Sequence, residues 1–161
     1  MIRRGEMLEW ADVFGNLYGT SHDEIKRIKA KNHHVLLEID VQGTRSILNQ
    51  IKDAVTVFIL PPTAEALWLR LESRGTDKLE DRWRRVLTAK QEIEVGYLYE
   101  HFIVNDERER AYEELRRILI EGKHSSVSHS QGVQLCKKLL EEFETSPLLN
   151  GLKQQFSGPS T

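Results

Sequence analysis

Thiols are almost missing from this chain: Cys136 is the only cysteine among its 161 residues. No intrachain disulfide is possible, and a reducing cytoplasm is the expected compartment. Long apolar runs are missing too. No stretch nears the about 18 apolar residues of a membrane span, and the opening MIRRGEMLEW holds no apolar signal segment. Neither charge sign dominates. Lys and Arg number 23, Asp and Glu 25, leaving a net charge of −2. No overall field therefore draws the chain to nucleic acid or to a membrane. Internal repeats and low-complexity tracts are also absent. What is present, 39% hydrophobic and 30% charged residues, is the composition of one folded domain.

The chain alternates between two kinds of pattern. Residues 34–39 (HVLLEI), 54–60 (AVTVFIL) and 101–104 (HFIV) are short apolar runs bounded by turn or charge signals, which predicts buried strands. The first has Val35, Leu36 and Leu37 in succession, the pattern of a strand buried on both faces. Between the runs lie helical patterns. Ser21-His22-Asp23-Glu24 predicts a capping box, with Ile25 and Ile28 as the apolar face behind it. Ala66, Leu67 and Leu71 predict a helix over 63–72, and a long charged helix is expected over about 79–97. Ala111, Leu115, Ile118 and Leu119 mark another. Strands alternating with helices predict an α/β fold, a parallel sheet with flanking helices. Ligands of such sheets bind past the carboxyl ends of the strands, which directs attention to Asp40, Pro61-Pro62 and Asn105-Asp106.

The two ends of the chain read differently. Residues 7–13 and 17–20 flank Phe14-Gly15-Asn16 and predict a small β element with a turn. Residues 122–132 are rich in Ser and His and predict a loop. Val133, Cys136, Leu139, Leu140 and Phe143 predict a short helix, with Cys136 as a small core hydrophobe. Beyond Thr145 the chain is expected to fray.

Four segments stand out: GEMLEWADVFGNLYGTS at 5–21, LLEIDVQG at 36–43, RLESRGTDKLEDRWRR at 70–85 and IVND at 103–106. In the first, the Glu9 carboxylate accepts two hydrogen bonds from adjacent N–H groups, the pair offered by a guanine edge. Tyr18 and Thr20, two apart on an extended segment, share a face, and Gly19 lets the backbone approach a ligand. Glu38 and Asp40 likewise share a face at a strand end. Arg70, Arg74 and Arg85 supply the rigid cationic donors that transferring phosphates require. Each has a plainer reading. Glu9 is a solvated strand residue, Tyr18 a core tyrosine beside a turn, Asp40 a helix cap, the arginines a salt-bridged helix face, and Asn105 a strand-terminal turn. His33-His34 and the His124/His129 pair lack metal-ligand spacing and read as surface histidines.

In order and spacing the four segments resemble guanylate kinases over roughly residues 5–120. The resemblance implies ATP and GMP as ligands, Mg2+ accompanying ATP, and no resident metal. It implies that Glu9, Tyr18, Thr20, Glu38, Asp40 and Gly43 bind GMP, with Glu9 on the base and Tyr18 on the phosphate. It implies that Arg70, Arg74 and Arg85 are catalytic, Arg85 on a mobile lid, and that Arg74 and Asn105 serve the ATP side. Gly75 and the stretch after it then form a hinge. Domain limits follow: 1–121 as the guanylate kinase-like part, with 1–20 in the GMP-binding element and 70–97 as a helical lid, and 122–161 as an extension. Trp83 departs from the polar surface expected of a lid.

Within these residues there is no G-x-x-x-x-G-K-[ST] phosphate loop, nor the arginine-bearing segment that the family places after it. The expectation is therefore a P-loop kinase-like domain lacking the P-loop strand, incomplete and inactive by itself. The alternatives are a non-catalytic binding module of the same family and an inactive remnant; retention of the lid arginines argues against the module.

Overall fold

The computed structural model describes residues 1, 4–13, 15–73 and 78–156. It divides into two compact units, Met1–Ala54 and Val55–Thr161. The expected boundary at 121/122 falls inside the second.

The first unit opens with strand β1, Met7–Val13, paired antiparallel with β2, Asn16–Ser21. Gly15 takes a φ of 82° in the connection, a left-handed conformation that glycine adopts without a Cβ clash. Its N–H donates to Asp12 Oδ1 at 2.8 Å. Phe14, expected in this turn, lies outside the described residues. Helix α1 spans His22–Lys29 and α2 spans Val41–Gln50. Half of the expected box at α1 forms. Ser21 Oγ accepts the Glu24 N–H at 3.2 Å, but the Glu24 carboxylate turns to Arg27 instead.

The ladder of β1 and β2 contains a bulge. Met7 pairs with Ser21 and Glu9 with Thr20, so Leu8 is an extra residue on β1. A bulge breaks strict alternation and re-aims side chains. Leu8 and Glu9, adjacent in sequence, are accordingly both buried, at 5% and 3% exposure. Leu8 enters a core with Ile25 and Ile47. Gly19 serves the pairing of the strands: a Cβ there would lie 2.6 Å from the Glu9 carbonyl oxygen and 2.9 Å from Trp10 Cβ.

The strand expected over 34–39 does not form. Residues 33–40 carry neither helix nor strand. Val35, Leu37 and Ile39 pack on the Leu8 core, while Leu36 is 69% exposed. The segment is thus buried on one face rather than two, with the period of two that an extended chain imposes.

The second unit holds β3, Val57–Leu60, in parallel register with β4, His101–Val104. Around this small sheet stand α3 (Ala64–Ser73), α4 (Leu79–Glu94), α5 (Arg108–Glu121), α6 (His129–Thr145) and α7 (Pro147–Phe156). The result is a mixed α/β architecture with a parallel sheet and flanking helices. The charged helix stops three residues earlier than expected, where a 3-10 turn at Gly96–Leu98 follows. The loop after α5 is shorter than expected, because Ser128 and Gln131 form a full capping box and start α6. Gly132 is therefore helical. Its Cα faces Phe102 so closely that a Cβ would lie 2.1 Å from the ring.

The segment beyond Thr145 forms α7 where fraying was expected. Leu149 is buried, and Phe156 stacks on Trp83 of α4 at 5.6 Å with the rings 7° from parallel. That contact explains the tryptophan that the lid reading could not place. Cys136 is buried in α6, its Sγ against Gly96, as a core hydrophobe should be. Burial pushes its thiol pKa up to about 11.

Candidate nucleotide site

In the first unit the hairpin sets Glu9 opposite Thr20 and Ala11 opposite Tyr18. Residues two apart on a strand share a face, so Glu9, Thr20 and Tyr18 lie on one side of the hairpin, with Trp10 and Gly19 on the other. Thr20 is half-buried and Tyr18 is 62% exposed. Glu9 is 3% exposed as a residue; among the described residues no hydrogen bond or ion pair engages its carboxylate, and its oxygens are not sealed from solvent, since Arg82 Nε alone is both buried and unpartnered. The two acceptor oxygens of Glu9 are thus free to receive donors from a ligand.

Helix α2 forms the wall beside it. Asp40 is its N-cap: Oδ1 accepts the Gly43 N–H at 2.8 Å, and Oδ2 accepts from Gln42 Nε2 at 3.1 Å. The plainer reading of Asp40 is thus realised. Gly43 approaches Glu9 so closely that a Cβ would sit 3.1 Å from Oε2. The structure therefore gathers Glu9, Thr20, Tyr18 and Gly43, with Asp40 fixing the helix that bears Gly43. Glu38 lies on the exposed face of the extended segment, and no described contact ties it to Glu9.

In the second unit the carboxyl ends of the parallel strands fall at Leu60 and Val104, where the Asn105 N–H extends the ladder to the Leu60 carbonyl at 2.8 Å. Arg70, on α3, reaches the same end and donates to the Asp106 carbonyl oxygen at 3.4 Å. Arg70 and Asn105 thus share the strand ends that the fold offers to ligands. Arg85 lies half-buried on α4. Arg74 and the expected hinge glycine, Gly75, lie outside the described residues.

Sequence reasoning passed over Arg82. Its guanidinium stands 5.6 Å from the centre of the Trp68 ring, and its Nε is buried without a partner. The pairing joins positions 14 apart on two helices, so no local pattern announces it. An open concavity of about 490 Å³ between α5 and residues 126–127 holds none of the expected site residues. Of its charged lining, Arg110 pairs with Asp106 and Glu114 with Ser126. Among the described residues, no three His, Cys, Asp or Glu side chains gather closely enough to hold a metal ion.

The guanylate kinase family model matches residues 1–122. The guanylate kinase of Symbiobacterium thermophilum is 42% identical over 141 residues, 88% of this chain and 66% of that protein. The guanylate kinase of Neisseria meningitidis serogroup A is 44% identical over 119 residues, 74% of this chain and 58% of its own length. The crystal structure of guanylate kinase from Anaplasma phagocytophilum superposes with a TM-score of 0.61 at 27% identity, covering 90% of this chain and 67% of that one. The chain belongs to the guanylate kinase family. It spans 58–66% of the length of these two curated relatives.

Proposed function

We propose that the hairpin and α2 bind GMP, with Glu9 reading the guanine edge. The observation that carries this is the Glu9 carboxylate, on a largely buried residue and with no partner among the described residues, opposite Thr20 and against Gly43. Guanine presents its N1–H and 2-amino group side by side, two donors matched to the two oxygens of a carboxylate. Thr20 supplies a hydroxyl beside them, and Tyr18, further along the same face, supplies one for the phosphate. Asp40 acts by fixing the start of α2, and Glu38 serves from the outer face of its segment.

The reaction of the whole protein is transfer of a phosphoryl group from ATP to GMP, giving ADP and GDP. Arg70, Arg74 and Arg85 stabilise charge on the phosphate oxygens, and Asn105 with Arg74 serves the ATP side. Mg2+ enters with ATP as part of that substrate and neutralises phosphate charge. The family match to 1–122 supports residues 1–121 as the kinase part and 122–161 as an extension. The compartment that suits this reading is the cytoplasm, without a nucleic-acid or membrane partner.

The 161 residues contain no G-x-x-x-x-G-K-[ST], whose lysine and amides hold ATP phosphates. A polypeptide of these residues alone therefore binds GMP and does not turn it over. Calorimetric titration with GMP and AMP, paired with a coupled ADP-release assay, tests this. GMP binds in preference to AMP, with turnover far below about one per second, the lower end of the kinase range. Equal binding of the two nucleotides overturns the guanine reading, and turnover at that rate overturns the reading of inactivity.

A further inference from the structure

We infer that Gln50 is a positioning residue for Glu9, acting through the bulge of β1; this rests on the guanine-reading role of Glu9. The bulge takes Leu8 out of regular pairing with β2. Its carbonyl is satisfied from α2 instead. Gln50 Nε2 donates to Leu8 O at 2.6 Å, and Ser46 Oγ donates to the same oxygen at 3.4 Å. The Gln50 amide nitrogen also lies 3.1 Å from the Ser46 carbonyl oxygen, so its second hydrogen ties the side chain to its own helix.

The other contacts of α2 fall on the same stripe. Ile47 packs in the core with the Leu8 side chain, and Gly43 abuts the Glu9 carboxylate. Positions 43, 46, 47 and 50 recur every three or four residues and so line one face of the helix. One face of α2 thus grips the bulge at three points: the Leu8 carbonyl, the Leu8 side chain and the Glu9 carboxylate. The two outer points differ in kind. Gly43 limits where the carboxylate can go, and Gln50 fixes the backbone from which it projects. Without the amide donor, the Leu8 carbonyl keeps only the long contact from Ser46. The bulge can then relax toward regular pairing, which in a strand turns a side chain to the opposite face. Gln50 touches no nucleotide in this arrangement; its effect on recognition passes through Glu9.

A role in aiming Glu9 differs from a role in folding in what it does to selectivity. Inosine monophosphate is GMP without the 2-amino group, so the ratio of GMP to IMP affinity reports the hydrogen bond that Glu9 makes there. One hydrogen bond to a charged group sets that ratio at about ten-fold or more. The experiment titrates the full chain with both nucleotides and records its thermal midpoint. The variants are Gln50→Ala, Gln50→Met, which keeps the length without the donor, and Gln50→Lys, which keeps a donor, alongside Glu9→Gln. Gln50→Ala and Gln50→Met are expected to cut the ratio by about five-fold or more, while Gln50→Lys stays within about two-fold of the unsubstituted chain. An unchanged ratio in Ala and Met, when Glu9→Gln abolishes the preference, overturns the positioning role and leaves the guanine reading intact. Parallel weakening of both nucleotides, or loss of the folded state in both variants, makes Gln50 merely structural and also overturns it. If Glu9→Gln leaves the ratio unchanged, or GMP does not bind the unsubstituted chain, the guanine reading itself fails, and this inference with it.

Discussion

Gly43→Ala separates the needs of the fold from the needs of the site, because the two respond differently at this position. Gly43 sits in the first turn of α2, just after the Asp40 cap. Alanine there gains up to about 1 kcal/mol of helix propensity over glycine. Against that gain stands crowding: the new Cβ meets Ile39 Cβ at 3.0 Å and Glu9 Oε2 at 3.1 Å. Carbon contacts are comfortable at about 3.5–4.0 Å, so each neighbour must give by several tenths of an ångström. Ile39 Cβ is held by the backbone leading into the cap, whereas the Glu9 carboxylate is the far end of a flexible side chain. The carboxylate therefore yields, and a shift near about 0.5 Å is enough to spoil a binding geometry. Gains and losses in the fold nearly cancel, leaving stability within about 1 kcal/mol. GMP affinity falls by about 3- to 10-fold, or about 0.7–1.4 kcal/mol. Circular dichroism melting and calorimetric titration of the same sample read both quantities. Unchanged GMP affinity in a folded variant refutes the claim that Gly43 bounds the position of Glu9. A collapse in thermal midpoint refutes the assumption that Glu9, rather than the backbone, gives way.

Two further outcomes concern the second unit. Gly132→Ala destabilises the chain by about 2 kcal/mol despite the better helix former, because overpacking a core costs about 1–3 kcal/mol and Phe102 is fully buried beside it; a higher melting midpoint contradicts this. Cys136, with its pKa raised from 9.0 to about 11, resists iodoacetamide at pH 8.5 and reacts freely once urea unfolds the chain. Its contribution to stability is present below the unfolded pKa and lost as pH rises from about 9 to 11. Over that window the midpoint of the unsubstituted chain falls further than that of Cys136→Ala, and parallel curves count against the assignment.

The sequence was most legible where the signal is local. The runs at 57–60 and 101–104 are strands, and the small β element forms as a hairpin. Asp40 before Val41 announced its helix cap. The box Ser128-His129-Ser130-Gln131 was equally readable, but the surrounding Ser and His residues disguised it as loop. Composition misled again at α7, where packing of Leu149 and Phe156 outweighs the proline, glycine and serine of the tail. At 34–39 an apolar run indicated burial without revealing which faces were buried; Leu36 shows that half the pattern meets solvent. Contacts between distant positions were out of reach altogether. The Leu8 bulge, its Gln50 partner 42 residues away and the Trp83–Phe156 stack depend on tertiary placement. The family resemblance pointed to Glu9 and Gly43 by position, while the reason Gly43 must stay small became visible only from the carboxylate beside it.

Calorimetric titration of Glu9→Gln with GMP tests the central claim most directly. Losing a hydrogen bond to a charged group costs about 1.5–3 kcal/mol, so GMP affinity is expected to fall by about 10- to 150-fold. The ligand-free variant melts close to the unsubstituted chain, because Gln keeps the size of the side chain and no described partner of the carboxylate is lost. Equal GMP affinity in a folded Glu9→Gln chain contradicts the account, since the carboxylate would then not be reading guanine.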